Sequence, residues 1–194
     1  MRYTSTLLVS LMLPLSVAAQ SAIPDTVGTL AASTITLGAT FGNICSDETG
    51  EDVKVDTGFS ISSQAMFWGR TFGFIAGYDG SHSRSVSGTG NKVSQNVAWA
   101  GLCLAAGSAN SDSWIFVHPT VNYAWWRFDH EEGFTVKGGL GYGAGFLVLA
   151  PPVSISVRYH RLEGSLTAYG ITVDMYSSSI WVTFGYGSRP QKAG

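Results

Sequence analysis

The sequence predicts an all-β protein, an eight-stranded antiparallel up-and-down barrel that crosses a membrane. Three observations predict it: segments of alternating apolar and small polar residues recur along the chain, charged residues make up only 12% of it, and glycine contributes 24 of its 194 residues. Ordinary globular domains carry about 25% charged residues. Because successive side chains of a strand point to opposite faces, the alternation separates a lipid-facing side from an interior side.

The segment 134–146 shows this pattern most clearly. One face carries the apolar residues Phe134, Val136, Leu140, Tyr142, Ala144 and Phe146. The other face carries Thr135, Lys137, Gly139, Gly141, Gly143 and Gly145. The segment is longer than the roughly 9–11 residues that a tilted strand needs to cross a bilayer. It therefore predicts a strand with lipid on one side and a narrow interior on the other.

Seven more segments with strand periodicity give an even number of strands. They are 34–42, 53–63, 70–79, 93–106, 114–126, 153–161 and 176–187. In the segment 93–106, Trp99 and Leu102 have opposite parity, so we expect a bulge near Gly101. Pro119 stands inside a predicted strand, where it removes one ladder hydrogen bond.

The connections between these segments alternate in length. Longer or more polar ones are 42–52, 80–92, 127–133 and 163–175, of which the first and third are acidic; shorter ones are 64–69, 107–112 and 150–152. Outer-membrane barrels have short periplasmic turns and longer extracellular loops, so both chain ends are expected in the periplasm. Aromatic residues are expected as lipid girdles near the two rims, with Phe67, Trp68 and Trp114 at one rim and Tyr78, Tyr123, Trp125 and Tyr159 at the other.

The N-terminal region has the organisation of a secretory signal peptide. Arg2 provides the positive charge, 7–17 an apolar stretch that Pro14 interrupts, and 17–19 a small-residue cleavage site. The stretch is too short to span a bilayer as a helix. The expected organisation is a signal peptide at 1–19, a short mature leader at 20–32, the barrel at 33–187 and a C-terminal tail at 188–194.

A soluble eight-stranded barrel is the main alternative fold. Such a barrel carries polar residues outside and an apolar ligand cavity inside. Here the positions opposite the apolar faces are mostly Gly, Ser, Thr and Asn. These residues can line a polar lumen but not a lipophilic pocket, so the pattern favours the membrane barrel.

The chain resembles the small eight-stranded outer-membrane proteins of the OmpX and opacity-protein type. The resemblance is carried by 136–143, by 157–160 and by the closing strand 180–186. It departs from the family in continuing from 187 to 194 past the terminal aromatic residue Tyr186. The resemblance implies a monomer in the bacterial outer membrane, in contact with outer-membrane lipid and lipopolysaccharide. It also implies a structural or surface-interaction role, with an extracellular ligand bound through the loops.

Several polar residues are expected inside the outer half of the barrel. They are Lys54, Asp56, Asp79, Asn122, Lys137, Arg158 and His160. An eight-stranded barrel is just wide enough for side chains to fill, so these groups are expected to form an ion-pair and hydrogen-bond plug. A narrow proton or ion pore and a ligand site at the mouth remain alternatives. Trp181 is expected to fill interior space.

A lipid-modifying hydrolase is a further alternative, although the chain is not expected to be an enzyme. His160, Glu163 and Ser165 supply the residue types of a catalytic triad. The lipid A deacylase family, however, has His and Ser two residues apart on one strand, followed by Asn. Position 162 is Leu and position 163 is Glu, so that motif is not matched.

Cofactors, metals and nucleic acid are not expected as partners. The four histidines lie on different elements without metal-ligand spacing, and the formal net charge of −2 provides no basic surface for nucleic acid. Cys45 and Cys103 are predicted to lie at opposite ends of the barrel. A disulfide needs Cα atoms within about 7 Å, so we expect no bridge between them.

Overall fold

A computed structural model describes residues 29–46, 52–69, 71–86, 92–108, 113–128, 134–168 and 170–193. All elements are strands: β1 (Leu30–Ser46), β2 (Asp52–Trp68), β3 (Phe72–Ser85), β4 (Lys92–Ser108), β5 (Ser113–Phe128), β6 (Phe134–Lys137), β7 (Gly139–Ala150), β8 (Val153–Ala168), β9 (Ile171–Gly187) and β10 (Gln191–Lys192). The described residues include no helix long and apolar enough to cross a bilayer. The predicted signal peptide and most of the predicted leader lie outside these ranges.

The strands close into an eight-stranded antiparallel barrel, as the sequence predicts. Each strand pairs with its neighbour in the chain, and β9 returns to pair with β1 from Thr34↔Gly187 to Ser46↔Met175. β6 and β7 form one barrel strand that is interrupted at Gly138. The short β10, within the predicted tail, pairs with the start of β1.

Apolar side chains cover the outside of the barrel. Phe72 is 73% exposed and Val121 is 67% exposed, whereas Thr36 and Arg158, on the opposite face, are 0% and 1% exposed. In water this apolar surface would be strongly unfavourable, and it matches the lipid-facing band of outer-membrane barrels. The predicted division of the strand faces, apolar outside and polar inside, is confirmed along the middle of the barrel.

The interior has three layers. At the end with the short turns, buried Met66, Trp68, Trp114, Phe116, Leu147 and Leu149 form an apolar layer. A polar layer occupies the middle. At the end with the long connections, a second apolar layer contains Val55, Val86, Val93, Trp126, Leu162 and Met175. Apart from Trp181, the alternation predicts small and polar residues inside the barrel, so neither apolar layer was expected.

Two predicted girdle residues belong to the interior. Trp68 is 1% exposed and Trp114 is 7% exposed. Their rings meet edge to face at 5.3 Å, and the ring of Phe116 lies 4.9 Å from that of Trp68. Edge-to-face packing of this kind stabilises buried aromatic clusters. The girdle prediction was wrong for both residues, which close the short-turn end of the barrel.

The predicted bulge near Gly101 is absent from the described strands. β3 and β4 pair without a shift from Phe72↔Leu104 to Ser81↔Gln95. Trp99 points inward while Leu102 points outward, so the change of parity reflects a large apolar side chain in the interior. On its other side, β4 pairs with β5 up to Ala100↔Val121 and again from Leu104↔Val117. Pro119 lies in the unpaired gap between these two positions.

Several predicted connections are continuations of strands. β1 extends to Ser46 and β3 to Ser85. β8 and β9 remain paired up to Ala168↔Ile171, well beyond the predicted strand ends at 161 and 176. Gly170 has a φ of 79°, a left-handed conformation that suits a hairpin tip. We call the paired residues 161–168 and 171–176, with β6, the outer ribbon.

The two cysteines lie at opposite ends of the barrel. Cys45 pairs through its backbone with Asp52 and Tyr176 beside the long connections. Cys103 pairs with Gly73 near the short turns, and it is a buried free thiol.

We predict that a charge on the outer wall destabilises the barrel. Val121→Arg places a guanidinium in hydrocarbon and should lower the free energy of unfolding by about 2–4 kcal/mol, the range for a cation near the bilayer midplane. The measurement is urea unfolding in lipid bilayers. The matched control, Val121→Ala, keeps the site apolar and should cost much less. Equal costs for the two variants would mean that this face does not contact lipid.

Candidate functional site

A buried ion pair lies at the centre of the polar layer. Asp79 on β3 and Arg158 on β8 both point inward, at 0% and 1% exposure. The Arg158 Nε donates to Asp79 Oδ2 at 2.8 Å, and Nη2 donates to Oδ1 at 2.6 Å. His160 Nε2 lies 2.8 Å from Asp79 Oδ2. This bidentate geometry is the strongest arrangement of an arginine and a carboxylate.

Arg158 uses its remaining donors within the barrel. Its Nη1 donates to Gln64 Oε1 at 3.2 Å and to Ser156 Oγ at 2.6 Å, and its Nη2 donates to Ser62 Oγ at 2.8 Å. A buried charge is tolerated only when it is paired and its hydrogen bonds are made. All five N–H groups of this guanidinium have partners, so it ties β2 and β3 to β8 across the interior.

Aromatic rings pack against the ion pair. The Arg158 guanidinium carbon lies 5.2 Å from the centre of the Trp99 ring, within the range of a cation–π contact. His118 stacks on Trp99 with a 6° angle between the planes and 5.4 Å between the centroids. A Cβ atom on Gly145 would lie 2.5 Å from His118 Nε2, so only glycine leaves room for that imidazole.

A second hydrogen-bond chain links β1, β8 and β9. Thr36 Oγ1 donates to Thr183 Oγ1 at 2.9 Å, and the Thr183 hydroxyl lies 2.8 Å from Ser156 Oγ. Ser156 also accepts from Arg158, so this chain is continuous with the ion pair. Trp181 fills the adjacent space, as predicted, and donates to Ser179 Oγ at 2.9 Å.

Not every polar group of the interior is satisfied by the protein. Within the described residues, the side-chain polar atoms of His118, Thr120 and Asn122 on β5 have no protein hydrogen-bond partner. Each unsatisfied buried group costs about 1–3 kcal/mol. This part of β5 therefore offsets some of the stabilisation that the paired groups provide.

The structure brings together some of the predicted interior residues and not others. Asp79 contacts both Arg158 and His160, and Asn122 is also buried inside the barrel. Lys54, Asp56 and Lys137 are exposed instead of pointing inward. The inward prediction was wrong for these three residues.

Register shifts explain the three errors. β1 and β2 slip by one residue between Thr40 and Gly42, which turns Val55 inward and its neighbours Lys54 and Asp56 outward. The break at Gly138 acts in the same way: Val136 packs against the interior, and Lys137 faces out. Because side chains alternate with period 2, a slip of one residue moves every side chain beyond it to the other face.

The candidate catalytic residues are not assembled. His160 is fully buried inside the barrel, where its partner is Asp79. Glu163 is exposed on the opposite face of β8, and Ser165 shares the face of Glu163. A triad requires the base within hydrogen-bond reach of both partners, and this geometry does not provide it. No cluster of three potential metal ligands occurs among the described residues.

Sequence reasoning missed the partners of Arg158. Ser62, Gln64 and Ser156 are inward by parity, so their orientation was readable from the sequence. Their contact with Arg158 depends on which strands face each other across the barrel. The opposite parity of Trp99 and Leu102 left the face of Trp99 open, and the structure buries Trp99 inside the barrel at 4% exposure.

Comparisons with known structures identify the fold. Neisserial surface protein A superposes with a TM-score of 0.51 at 11% sequence identity, covering 84% of this chain and 97% of that protein. The Ail attachment invasion locus protein of Yersinia pestis gives a TM-score of 0.48 at 16% identity, covering 81% and 99%. The outer membrane protease OmpT of Escherichia coli gives 0.39 at 11% identity, covering 87% and 100%.

No protein-family model and no curated protein matches the sequence. The structural likeness therefore shows the fold: the chain is an outer-membrane-type β-barrel, similar to the small eight-stranded proteins of the OmpX and opacity-protein type.

We predict a strong coupling between Asp79 and Arg158. Asp79→Asn and Arg158→Met each leave an uncompensated buried charge. Each variant alone should therefore cost about 3–5 kcal/mol of unfolding free energy. The double variant removes both charges and should cost clearly less than the sum of the two. Urea unfolding in detergent micelles measures all three values. Additive costs would contradict a direct ion pair.

Proposed function

We propose that the protein is a closed, non-conducting barrel of the bacterial outer membrane that acts through its outer ribbon. In this proposal the chain is exported with cleavage of the 1–19 signal peptide, is monomeric, and is surrounded by outer-membrane lipid and lipopolysaccharide. The observation that carries the proposal is the filled interior, which leaves the surface as the place where a partner can bind.

The filled interior argues against a pore. A solute would have to pass the Trp68–Trp114 layer, the Asp79–Arg158 pair and then the layer of Trp126 and Leu162, all of them buried. Eight strands enclose only enough space for side chains, whereas water-filled channels are found in larger barrels. The hydrolase alternative has no support from the geometry of His160, Glu163 and Ser165.

The outer ribbon presents charged and aromatic groups on a paired backbone. The Arg161 guanidinium lies 4.5 Å from the centre of the Tyr176 ring, and Glu163 and Asp174 are exposed beside them. Thr167 and Thr172 hydrogen-bond at 2.9 Å near the tip. Such a preformed surface loses little conformational freedom on binding, which favours recognition of a polar extracellular partner. The acidic connections 47–52 and 129–132 lie largely outside the described residues.

We predict that the purified protein does not conduct ions. The interior layers exclude a continuous water path, so planar bilayers containing the folded protein should show no stepwise current. A large porin measured under the same conditions serves as the positive control. Reproducible unitary steps that scale with protein concentration would overturn the closed-barrel part of the proposal.

We predict that the outer ribbon mediates attachment of cells to extracellular partners. Replacing 163–174 by a two-residue turn removes the projecting hairpin and should reduce adhesion of expressing bacteria to immobilised extracellular-matrix proteins severalfold. The matched control is Arg161→Gln with Glu163→Gln, which keeps the hairpin and tests its charge. A difference in gel migration between unboiled and boiled samples confirms that each barrel folds. Unchanged adhesion by the shortened barrel would contradict the surface role.

A further inference from the structure

The chain continues past the closing strand β9 and runs alongside the start of β1. We call residues 188–193 the tail segment. The Ser188 N–H donates to the Ser33 carbonyl at 2.8 Å, and the Ser33 N–H donates to Ser188 Oγ at 2.9 Å. Farther along, the Ala193 N–H donates to the Thr29 carbonyl at 2.9 Å. Ala193 is only 6% exposed, so the tail segment packs closely against the barrel.

The start of β1 extends beyond the end of β9. The ladder between β1 and β9 ends at Thr34↔Gly187, whereas the ladder between β1 and β2 continues to Leu30↔Trp68. Residues 30–33 therefore have β2 on one side and lie past the end of β9 on the other. Among the described strands, only β10 pairs with β1 on that second side.

The tail segment occupies each bonding position of this edge. In an antiparallel ladder, alternate residues of a strand direct their N–H and C=O groups to the same neighbour. Ser33 and Thr29 bond to the tail segment through the contacts given above, and Ala31 between them lies opposite Gln191. The edge of β1 at 29–33 is therefore covered.

The tail segment is a bulged continuation of β9. Between Thr34↔Gly187 and Ala31↔Gln191 the register moves by one residue, and the extra residue lies on the tail side, within 188–190. A bulge of this kind bends a strand, increases its twist and is common at sheet edges. The bulge lets the chain remain beside β1 while its own far edge turns away from a regular ladder.

The tail segment protects its own outer edge, whereas β1 does not. Pro190 has no N–H to offer, Lys192 is exposed and charged, and β10 contains two residues. Proline, lysine, a bulge and a very short strand are the means by which natural proteins prevent edge-to-edge pairing. The sequence 29–33 is Thr-Leu-Ala-Ala-Ser, which has neither a charge nor a proline.

Closure of the barrel does not require the tail segment. β1 and β9 already pair continuously from Thr34↔Gly187 to Ser46↔Met175. The uncovered edge would lie at the short-turn end, which the proposed orientation places in the periplasm. In water an unpaired strand edge is a template for pairing with another chain.

We propose that the tail segment shields the edge of β1 against strand addition by a second copy of this chain. The second copy is the matching partner because its β1 carries the same uncharged edge. Two identical edges can pair antiparallel about a two-fold axis, which gives a closed dimer. The proposal rests on the short-turn end lying in water, and it is independent of what the outer ribbon binds.

The test is the oligomeric state of a shortened barrel in detergent micelles. Deleting 188–194 should raise the fraction of dimer at least tenfold over that of the wild type, measured by sedimentation at matched protein concentration. Ser188→Ala combined with Ala193→Pro keeps the chain length, removes two of the tail contacts and should also dimerise. Arg189→Gln changes only a side-chain charge, so this control should stay monomeric. A difference in gel migration between unboiled and boiled samples reports folding.

Amide hydrogen exchange then locates the contact. The Ala31 and Ser33 amides should be protected in the wild type, exchange rapidly in the dilute monomeric shortened barrel, and become protected again in its dimer. This result together with the dimer would support the shielding role.

Three outcomes would overturn the proposal. A folded shortened barrel that stays monomeric at every concentration would show that the edge needs no cover. A dimer in which the Ala31 and Ser33 amides exchange rapidly would place the contact elsewhere. Failure of both tail variants to fold would assign the tail segment to barrel formation. The conductance and adhesion experiments use the full chain, so failure here is separable from failure of the proposed function.

Discussion

Backbone hydrogen bonding within the membrane is the constraint on which the structure depends. Hydrocarbon offers no partner for an N–H or C=O group, so a sheet that crosses it must close on itself. The pairing of β1 with β9 provides that closure. Closure with eight strands then sets the interior width, and every inward side chain has to fit beside the others or pair with them.

The ion pair follows from this confinement. Asp79 and Arg158 reach each other only if β3 and β8 both have the observed register. A slip of one residue in β8 would move Arg158 into lipid and place an apolar neighbour such as Val157 inside. The pair therefore stabilises the observed register of β3 and β8 and disfavours the alternative registers. The two apolar layers on either side keep water from the pair, and this strengthens its electrostatic attraction.

The sequence predicted the fold well because lipid imposes a chemical difference between the two faces of each strand. Leu140, Tyr142 and Phe146 were placed correctly for that reason. Prediction failed where this difference disappears. At Lys54 and Lys137 the strands lie toward the long connections, and a one-residue shift there is invisible in the sequence. Trp68 and Trp114 suit a lipid girdle and a buried plug equally well by residue type, but their parity matches that of the inward Gln64 and His118.

The sequence predicted which residues belong to the candidate site better than it predicted the contacts between them. Parity alone placed Asp79, Arg158 and His160 inside, because their neighbours on each strand are apolar and outward. Which groups meet across the interior depends on barrel curvature and on the relative height of distant strands. Neither is encoded in the periodicity of one segment, so the contacts of Arg158 with Ser62 and Gln64 became visible only in three dimensions.

The most direct measurement is the transfer of magnetisation from lipid to protein in bilayer nanodiscs. With methyl-labelled Leu, Val and Met, the account predicts nuclear Overhauser contacts from acyl-chain protons to Val121, Leu140 and Val182. It predicts none to Met66, Leu147 or Leu149, which are fully buried. Contacts to the second group and not to the first would show that the side chains face the other way, and the account would be wrong.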